Sequence, residues 1–311
     1  CAKETIVRRA YEKALSLAVP CQLCPRMCRV DRLAGEKGFC GLSPNATLAR
    51  ALPHFGEEPP ICGEEGAATF FFSGCTMRCS FCQNWQISRK AQAGSPYSAH
   101  ELAKKMFELE KMGCSHLDFV SPTPHLPWLL EALAEARANG CTLPTVVNTN
   151  GYLPPEVVEI YREACDIILF DLKFAIGKSA KELSRTDDYV GVSQRAARLA
   201  LSLFGPLVVN DDGMATQGMI VRHLVLPNHL TETKAVLEFV ASLPPPLPTL
   251  SLMAQYHPAG GAPERLPLPL QNPLSQEEYF QAIDVAAALG LDDLIFQESG
   301  CGTHFLPDFK K

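Results

Sequence analysis

The sequence lacks any apolar run as long as the ~20 residues that a membrane-spanning helix needs. Its opening stretch, CAKETIVRRAYEKALSLAVP, lacks the compact apolar core of a secretion signal. It also lacks an excess of positive charge, because 34 acidic residues outnumber 28 basic residues and the net charge is -6. These absences predict a cytoplasmic protein that binds neither a membrane nor the phosphates of a nucleic acid.

The composition is nevertheless that of a large folded domain. The 311 residues are 47% hydrophobic and 20% charged, which is enough to bury a full core. The thirteen cysteines are an odd number, which argues against a complete disulfide framework. Seven of them form two tight groups, which are Cys21, Cys24, Cys28 and Cys40, and then Cys75, Cys79 and Cys82.

Short apolar runs alternate with helical patterns from residue 69 onward, an order typical of a parallel sheet built from βα units. The predicted strands are 69–74, 116–122, 144–150, 166–173, 218–227, 249–256 and 293–299. Capping boxes predict two helix starts, at Ser98 with Glu101 and at Ser275 with Glu278. Six βα units in about 190 residues favour a partial (β/α)6 TIM-like barrel over a complete eight-stranded one, which typically needs ~250 residues. We therefore predict an α/β fold with a cysteine-rich metal-binding extension at its amino end.

The chain divides into three predicted units. Residues 1–68 contain an amphipathic helix and the cysteine-rich segment, residues 69–300 form the barrel, and residues 301–311 are a tail. Within the barrel, residues 205–218 predict a hairpin-like insertion, because a turn sequence lies between two short apolar runs.

Three cysteines follow the first predicted barrel strand in the segment SGCTMRCSFCQNWQIS, with the spacing CxxxCxxC. Such a loop can hold a 4Fe-4S cluster with three thiolates and leave the fourth iron without a protein ligand. An open position lets a metal centre chelate a small molecule. The alternative, a zinc knuckle, needs a fourth protein ligand, and neither His nor Cys follows in the next stretch. We therefore predict a 4Fe-4S cluster on Cys75, Cys79 and Cys82.

This loop resembles the radical S-adenosylmethionine superfamily, and the chain as a whole is similar to its pyruvate formate-lyase activating enzyme-related group. The resemblance is carried by LCPRMC, GEKGFCG, HFGEEPP, FFSGCTMRCSFCQNWQIS, NTNGY, DLK, IVRHLVLP and SLMAQYHP. It implies an oxidoreductase whose reduced cluster cleaves S-adenosylmethionine to methionine and a 5′-deoxyadenosyl radical, which abstracts hydrogen from a substrate. It also implies an electron donor such as flavodoxin or ferredoxin.

The resemblance assigns roles to individual residues. Phe81 would contact the adenine through its backbone, and Asn84 would help to hold the loop. Lys173 would face the methionyl carboxylate. Asp171 and Thr149 match positions that line a cation site near the methionyl group in activating enzymes.

Two departures from the family pattern concern the second and third barrel strands. The second strand ends in SPTP, where a GGE-like turn is usual, so that Ser121 and Thr123 would supply oxygens without an acidic partner. The third strand carries Asn148 where activating enzymes have Asp, so the implied cation site loses one charge. We still expect all three residues to contribute to cofactor binding.

Side-chain alternation limits which strand residues reach the barrel lumen. Arg222 and His223 cannot both point inward, and we expect Arg222 to line the lumen and contact the cofactor. The later strand ends offer further polar residues, either as substrate contacts or as ordinary polar termini, which are Gln255, Tyr256, His257, Gln297 and Glu298.

The amino-terminal cysteines read CxxCxxxC, followed by eleven residues and a fourth cysteine. Four thiolates in a segment with little hydrophobic periodicity make a complete metal set. Sulfur ligands suit zinc and an iron-sulfur cluster equally, so we expect either a second 4Fe-4S cluster or a structural zinc on Cys21, Cys24, Cys28 and Cys40.

Other residues near these groups have two interpretations. Glu57 and Glu58 suit a general-base pair, although adjacent carboxylates are more often solvated or helix-dipole partners, and His54 is equally open. Cys62 is a spare metal ligand or a plain thiol. The scattered cysteines are expected to be small buried side chains, namely Cys114, Cys141 and Cys165.

The sequence thus predicts a radical enzyme that abstracts hydrogen from a protein or peptide, in the manner of a glycyl-radical activating enzyme. A small-molecule substrate is the close alternative. The alternative from another class is a noncatalytic iron-sulfur or zinc scaffold that carries electrons or supports a partner.

Overall fold

The computed structural model describes residues 2–42, 44–91, 93–259, 262–297 and 309. Its strands are β1 (Ala46–His54), β2 (Ala67–Phe72), β3 (Ser95–Tyr97), β4 (Leu117–Val120), β5 (Thr145–Thr149), β6 (Ile167–Asp171), β7 (Val208–Val209), β8 (Ala215–Leu224), β9 (Thr249–Met253) and β10 (Leu294–Phe296). Its helices are α1 (Ala2–Ser16), α2 (Pro59–Cys62), α3 (Trp85–Ser88), α4 (Ala99–Lys111), α5 (Leu126–Ala138), α6 (Pro155–Ala164), α7 (Gly177–Ser184), α8 (Tyr189–Phe204), α9 (Leu230–Ala241) and α10 (Gln276–Ala288).

The strands form one sheet in the order β10-β9-β8-β6-β5-β4-β2-β1-β3. From β2 through β4, β5, β6, β8 and β9 to β10, each neighbouring pair is parallel. Parallel strands are covered on both faces and are therefore mostly apolar, and every residue of β2, β4, β5 and β9 is buried. The sheet confirms the predicted α/β fold with its βα order.

The helices between the strands begin where their capping sequences predict. The Ser98 hydroxyl accepts a hydrogen bond from the Glu101 amide at the start of α4, and Ser275 and Glu278 repeat the arrangement at α10. The predicted insertion is also confirmed, because β7 pairs antiparallel with β8 across a turn at 210–213.

The amino-terminal part confirms the predicted amphipathic helix and adds two strands that sequence patterns did not predict. Helix α1 packs on α5 and α6 outside the sheet. Strand β1 pairs antiparallel along β2, and β3 follows it at the end of the strand order, a position that tolerates Pro96. The division into units at residue 68 stays a prediction, and the predicted tail lies outside the described residues except for Phe309.

No helix in the described part of the chain is long and apolar enough to span a membrane. The last predicted strand, 293–299, corresponds to β10, and its final two predicted positions lie outside the described residues.

Candidate active site

The carboxyl ends of the parallel strands surround one cavity of about 190 Å³. In a barrel of parallel strands this end gathers the functional side chains, because each strand delivers its following loop there. The loop after β2 brings Cys75, Cys79 and Cys82 to the wall of this cavity, and all three are free thiols.

Polar groups contact two of these sulfur atoms, and two donors point at Cys75. Cys75 Sγ accepts from the Met77 amide at 3.4 Å and from Asn150 Nδ2 at 3.3 Å. Cys82 Sγ lies 3.2 Å from the Ser88 hydroxyl. Donors directed at sulfur favour the thiolate, which is the form that binds iron.

Burial opposes that charge when no metal is bound. It raises the pKa of Cys75, and it raises the pKa of Cys79 to about 12, with the nearby Lys173 charge acting in the opposite direction. A bound metal replaces the thiol proton and removes this penalty.

The described residues contain no group of three or more His, Cys, Asp or Glu side chains arranged to hold a single metal ion. The three cysteines nevertheless share one cavity wall. Thiolates are the protein ligands of iron-sulfur clusters. The donor set therefore fits an iron-sulfur cluster.

Most residues predicted to bind the cofactor line the same cavity. They are Phe81, Asn84, Ser121, Asn148, Thr149, Asp171, Lys173 and Arg222. Thr123 does not line it, because the chain enters a short 3-10 helix after β4 that places its hydroxyl 2.9 Å from the Tyr161 hydroxyl. The prediction that Thr123 binds the cofactor is therefore corrected.

Arg222 lies inside the cavity, and His223 lies on the other face of β8, as alternation predicted. The Arg222 guanidinium donates to Asp171 Oδ1 at 2.8 Å and to Glu57 Oε2 at 3.0 Å, and it also donates to Asn148. His223 is buried, with its ring hydrogen-bonded to the Leu172 carbonyl.

Asp171 is held by two protein cations. Its second oxygen, Oδ2, accepts from Lys173 Nζ at 2.7 Å. Burial alone would raise the pKa of Asp171, but Arg222 and Lys173 hold that pKa below its usual value. The carboxylate that the resemblance placed in a cation site therefore binds protein cations through both oxygens.

Sequence reasoning missed the burial of Glu57 and Glu58. Their side chains are only 7% and 5% exposed and line the cavity wall, and burial raises the pKa of each. The local sequence favoured solvated carboxylates, and no nearby residue indicated that Arg222 would pair with them. The Cys62 thiol donates to the Glu57 carbonyl at 3.2 Å, so it acts as a plain thiol beneath this loop.

The polar residues at the later strand ends were predicted either as substrate contacts or as ordinary polar termini, and they differ in where they lie. Gln255 and Gln297 line the cavity and are hydrogen-bonded to each other, whereas the Tyr256 hydroxyl is bonded to a backbone carbonyl. Glu298 lies outside the described residues. Asn150, which sequence reasoning did not select, bonds Cys75 Sγ and belongs to the NTNGY motif.

The four amino-terminal cysteines also converge, on a separate small pocket. Its lining contains Cys21, Cys24, Cys28, Arg32, Cys40 and Thr76. The Phe39 amide donates to Cys28 Sγ at 3.2 Å, and Arg32 donates to Cys40 Sγ at 3.6 Å. A Cβ at Gly38 would lie 2.8 Å from Cys28 Sγ, so only glycine allows this approach.

Arginine side chains fasten this segment to the loop that carries the other three cysteines. Arg26 donates to the Thr76 carbonyl at 3.0 Å and stacks on the Phe39 ring at 4.1 Å. Arg78 stacks on the same ring at 4.4 Å and donates to the Phe39 carbonyl. The two cysteine groups are therefore neighbours in space although they are far apart in the sequence.

Comparisons with known proteins agree with this geometry. Residues 69–189 match the family model of the Radical SAM superfamily. An uncharacterised protein of Methanocaldococcus jannaschii is 29% identical over 299 residues, which are 93% of this chain and 81% of that protein.

Two solved structures share the fold. A variant of spore photoproduct lyase has a TM-score of 0.51 at 12% identity and covers 80% of both chains. SuiB of Streptococcus suis, bound to its precursor peptide SuiA, has a TM-score of 0.53 at 11% identity. That match covers 72% of this chain and 47% of the SuiB chain.

The cavity, the cysteine loop beside it and the family match thus indicate the same kind of enzyme. The family implies a 4Fe-4S cluster and S-adenosylmethionine as cofactors, together with a reductant and a substrate. The match to the Radical SAM superfamily covers residues 69–189, the part of the chain that carries the three-cysteine loop and most of the cavity lining, and it identifies the chain as a radical SAM enzyme.

Proposed function

We propose that Cys75, Cys79 and Cys82 bind the 4Fe-4S cluster and that the enzyme abstracts hydrogen from a protein or peptide substrate. One observation carries the cluster assignment. Among the residues that the structure describes, the cavity lining contains these three cysteines and no fourth, and the cavity of about 190 Å³ lies beside them. A catalytic metal centre needs such an open position.

When bound, such a cluster supplies the electron that splits S-adenosylmethionine and so generates the hydrogen-abstracting radical. The chain's own residues position that cofactor. The Asn150 amide holds Cys75 Sγ, Phe81 lies buried on the cavity wall, and Lys173 lies at the carboxyl end of β6 with its cation toward Asp171. The enclosing strands keep water away from the reacting atoms.

The peptide substrate is supported by the likeness to activating enzymes in sequence motifs. The fold neighbour SuiB was solved with a precursor peptide bound. A small metabolite is the second candidate, because buried polar groups converge on the cavity, as they do in sites for small charged ligands.

We propose that the four-cysteine pocket holds a second 4Fe-4S cluster. Four thiols line this one pocket, which is the full cysteine set of such a cluster. The hydrogen-bond donors at Cys28 and Cys40 also support a cluster, because donors to the sulfurs tune its potential, and it would exchange electrons with a donor such as flavodoxin or ferredoxin.

Anaerobic reconstitution tests the proposed function. The iron-loaded protein is reduced with dithionite and mixed with S-adenosylmethionine, and 5′-deoxyadenosine is measured by chromatography. Release of 5′-deoxyadenosine is expected. A preparation that holds iron and cannot release it would favour the noncatalytic scaffold.

A further inference from the structure

The wall and floor of the barrel lumen hold more buried carboxylates than cations. Among the described residues that meet there, the acids are Glu57, Glu58, Asp118 and Asp171, and the cations are Lys173 and Arg222. A buried carboxylate without a positive partner costs free energy, so the question for each of the four is which group stabilises it.

The two cations account for two of the carboxylates. Asp171 binds Lys173 through one oxygen and Arg222 through the other. Glu57 binds Arg222 at 3.0 Å and also accepts from the Asn148 amide. The three guanidinium nitrogens of Arg222 donate to Asp171, Glu57 and Asn148. The residues at the floor of the cavity therefore offer a ligand hydrogen-bond acceptors rather than donors.

Asp118 lies out of reach of a ligand, because it is 0% exposed and is not among the residues that line the cavity. Neither of its oxygens has a hydrogen-bond partner in the described structure. Burial and the neighbouring Glu57 charge raise the pKa of Asp118 well above its usual value, which favours its neutral form.

Glu58 remains. It is 6% exposed and lines the cavity, and its Oε2 has no hydrogen-bond partner among the described residues. The nearest cation, Arg222 Nη1, is 3.8 Å from that oxygen and already donates to Glu57. The other group close to the carboxylate is the Ser251 hydroxyl on β9.

We propose that Glu58 binds a positively charged group of the substrate, an amine or a guanidinium, at the floor of the barrel cavity. This rests on the proposed function, since it names the chemical class of that enzyme's substrate. A lysine or arginine side chain of a peptide and a small basic metabolite both carry the required group. Its charge would give Glu58 Oε2 the hydrogen-bonded partner that Arg222, 3.8 Å away, does not supply.

Calorimetric titration of the iron-loaded protein with S-adenosylmethionine present tests this proposal. The probes are Nα-acetyl-lysine amide and Nα-acetyl-arginine amide, and the neutral comparison is Nα,Nε-diacetyl-lysine amide, which lacks only the charge. Wild-type protein should bind a cationic probe about 10- to 100-fold more tightly than the neutral one, the range for a hydrogen bond to a charged group.

Glu58→Gln should remove that preference, because the amide keeps the shape and loses the charge. Glu64→Gln, an exposed carboxylate just after α2, is the matched control and should retain it. Equal binding of charged and neutral probes by wild-type protein would overturn the proposal without any variant. So would a Glu58→Gln protein whose affinity for S-adenosylmethionine falls as much as its affinity for the probes, since the carboxylate would then contact the cofactor's ammonium.

The two proposals fail separately. Wild-type protein that releases 5′-deoxyadenosine but ignores the probe's charge contradicts only the role of Glu58. Iron-loaded protein that releases none contradicts the proposed function itself.

Discussion

The two cysteine groups lie side by side yet face different surroundings. The three cysteines of the β2 loop line a cavity of about 190 Å³, whereas the four amino-terminal cysteines share a pocket of about 10 Å³ with six other residues. A metal centre with room beside it can take a ligand, and one without such room suits electron transfer or structure. Ligand number and free volume together therefore favour catalysis at the first group and an auxiliary role at the second.

The largest expected effect comes from removing the open centre. Replacing Cys75, Cys79 and Cys82 together by Ala should abolish 5′-deoxyadenosine release and remove about four irons per chain. Cys114→Ala is the control, because this buried thiol lies outside both groups and should keep both properties. Iron analysis and chromatography measure the outcome, and a triple variant that still cleaves the cofactor would contradict the proposed cluster site.

Removing the enclosed centre should leave the open one in place. Replacing Cys24 and Cys28 by Ala should lower the iron content from about eight to about four per chain. Hydrogen exchange of residues 21–42 should accelerate, because this segment has little apolar core to order it. Cys62→Ala serves as the control, and zinc in stoichiometric amount in the wild-type protein would contradict the second cluster.

The charges around the open cavity should matter to stability more than charges at the surface. Arg222→Met leaves Asp171 and Glu57 without their main cation, and breaking a buried pair in this way costs about 3–5 kcal/mol. Arg8→Met removes an exposed pair with Glu4, for which about 0–1 kcal/mol is typical. Urea unfolding compares the two variants, and equal losses would show that the buried network adds nothing.

Mild acid should lower the stability of the barrel, and this effect should be smaller than those of the substitutions above. Burial lowers the pKa of His125 and of His223 to about 4, from 6.5. The unfolded chain therefore takes up protons as pH falls through 6.5, while the folded chain does so only near 4. Stability should fall as pH drops across that interval, and thermal unfolding at pH 7.5 and 5.5 measures it. His223→Gln should show a smaller drop than wild type.

Local patterns predicted the parts of this molecule that depend on neighbouring residues. The CxxxCxxC loop follows its strand, the capping boxes begin their helices, and alternation placed Arg222 inside the barrel. These features are encoded within a few positions of the sequence, and period and spacing report them directly.

Long-range pairing explains what the sequence did not reveal. Glu57 is buried because it meets Arg222, which is 165 positions away, and nothing near HFGEEPP announces that contact. Strand β1 was missed because only its first three residues are buried, so its alternation is weak. Thr123 was misplaced because a 3-10 turn at 123–125 follows the strand end and redirects its side chain.

Thr76 links the two cysteine groups. It follows Cys75 directly, accepts the Asn150 amide that also holds the Cys75 sulfur, and lines the four-cysteine pocket. A replacement at this single position would therefore disturb both groups together. An engineer who wished to alter one group would have to leave Thr76 alone, or accept a change at the other.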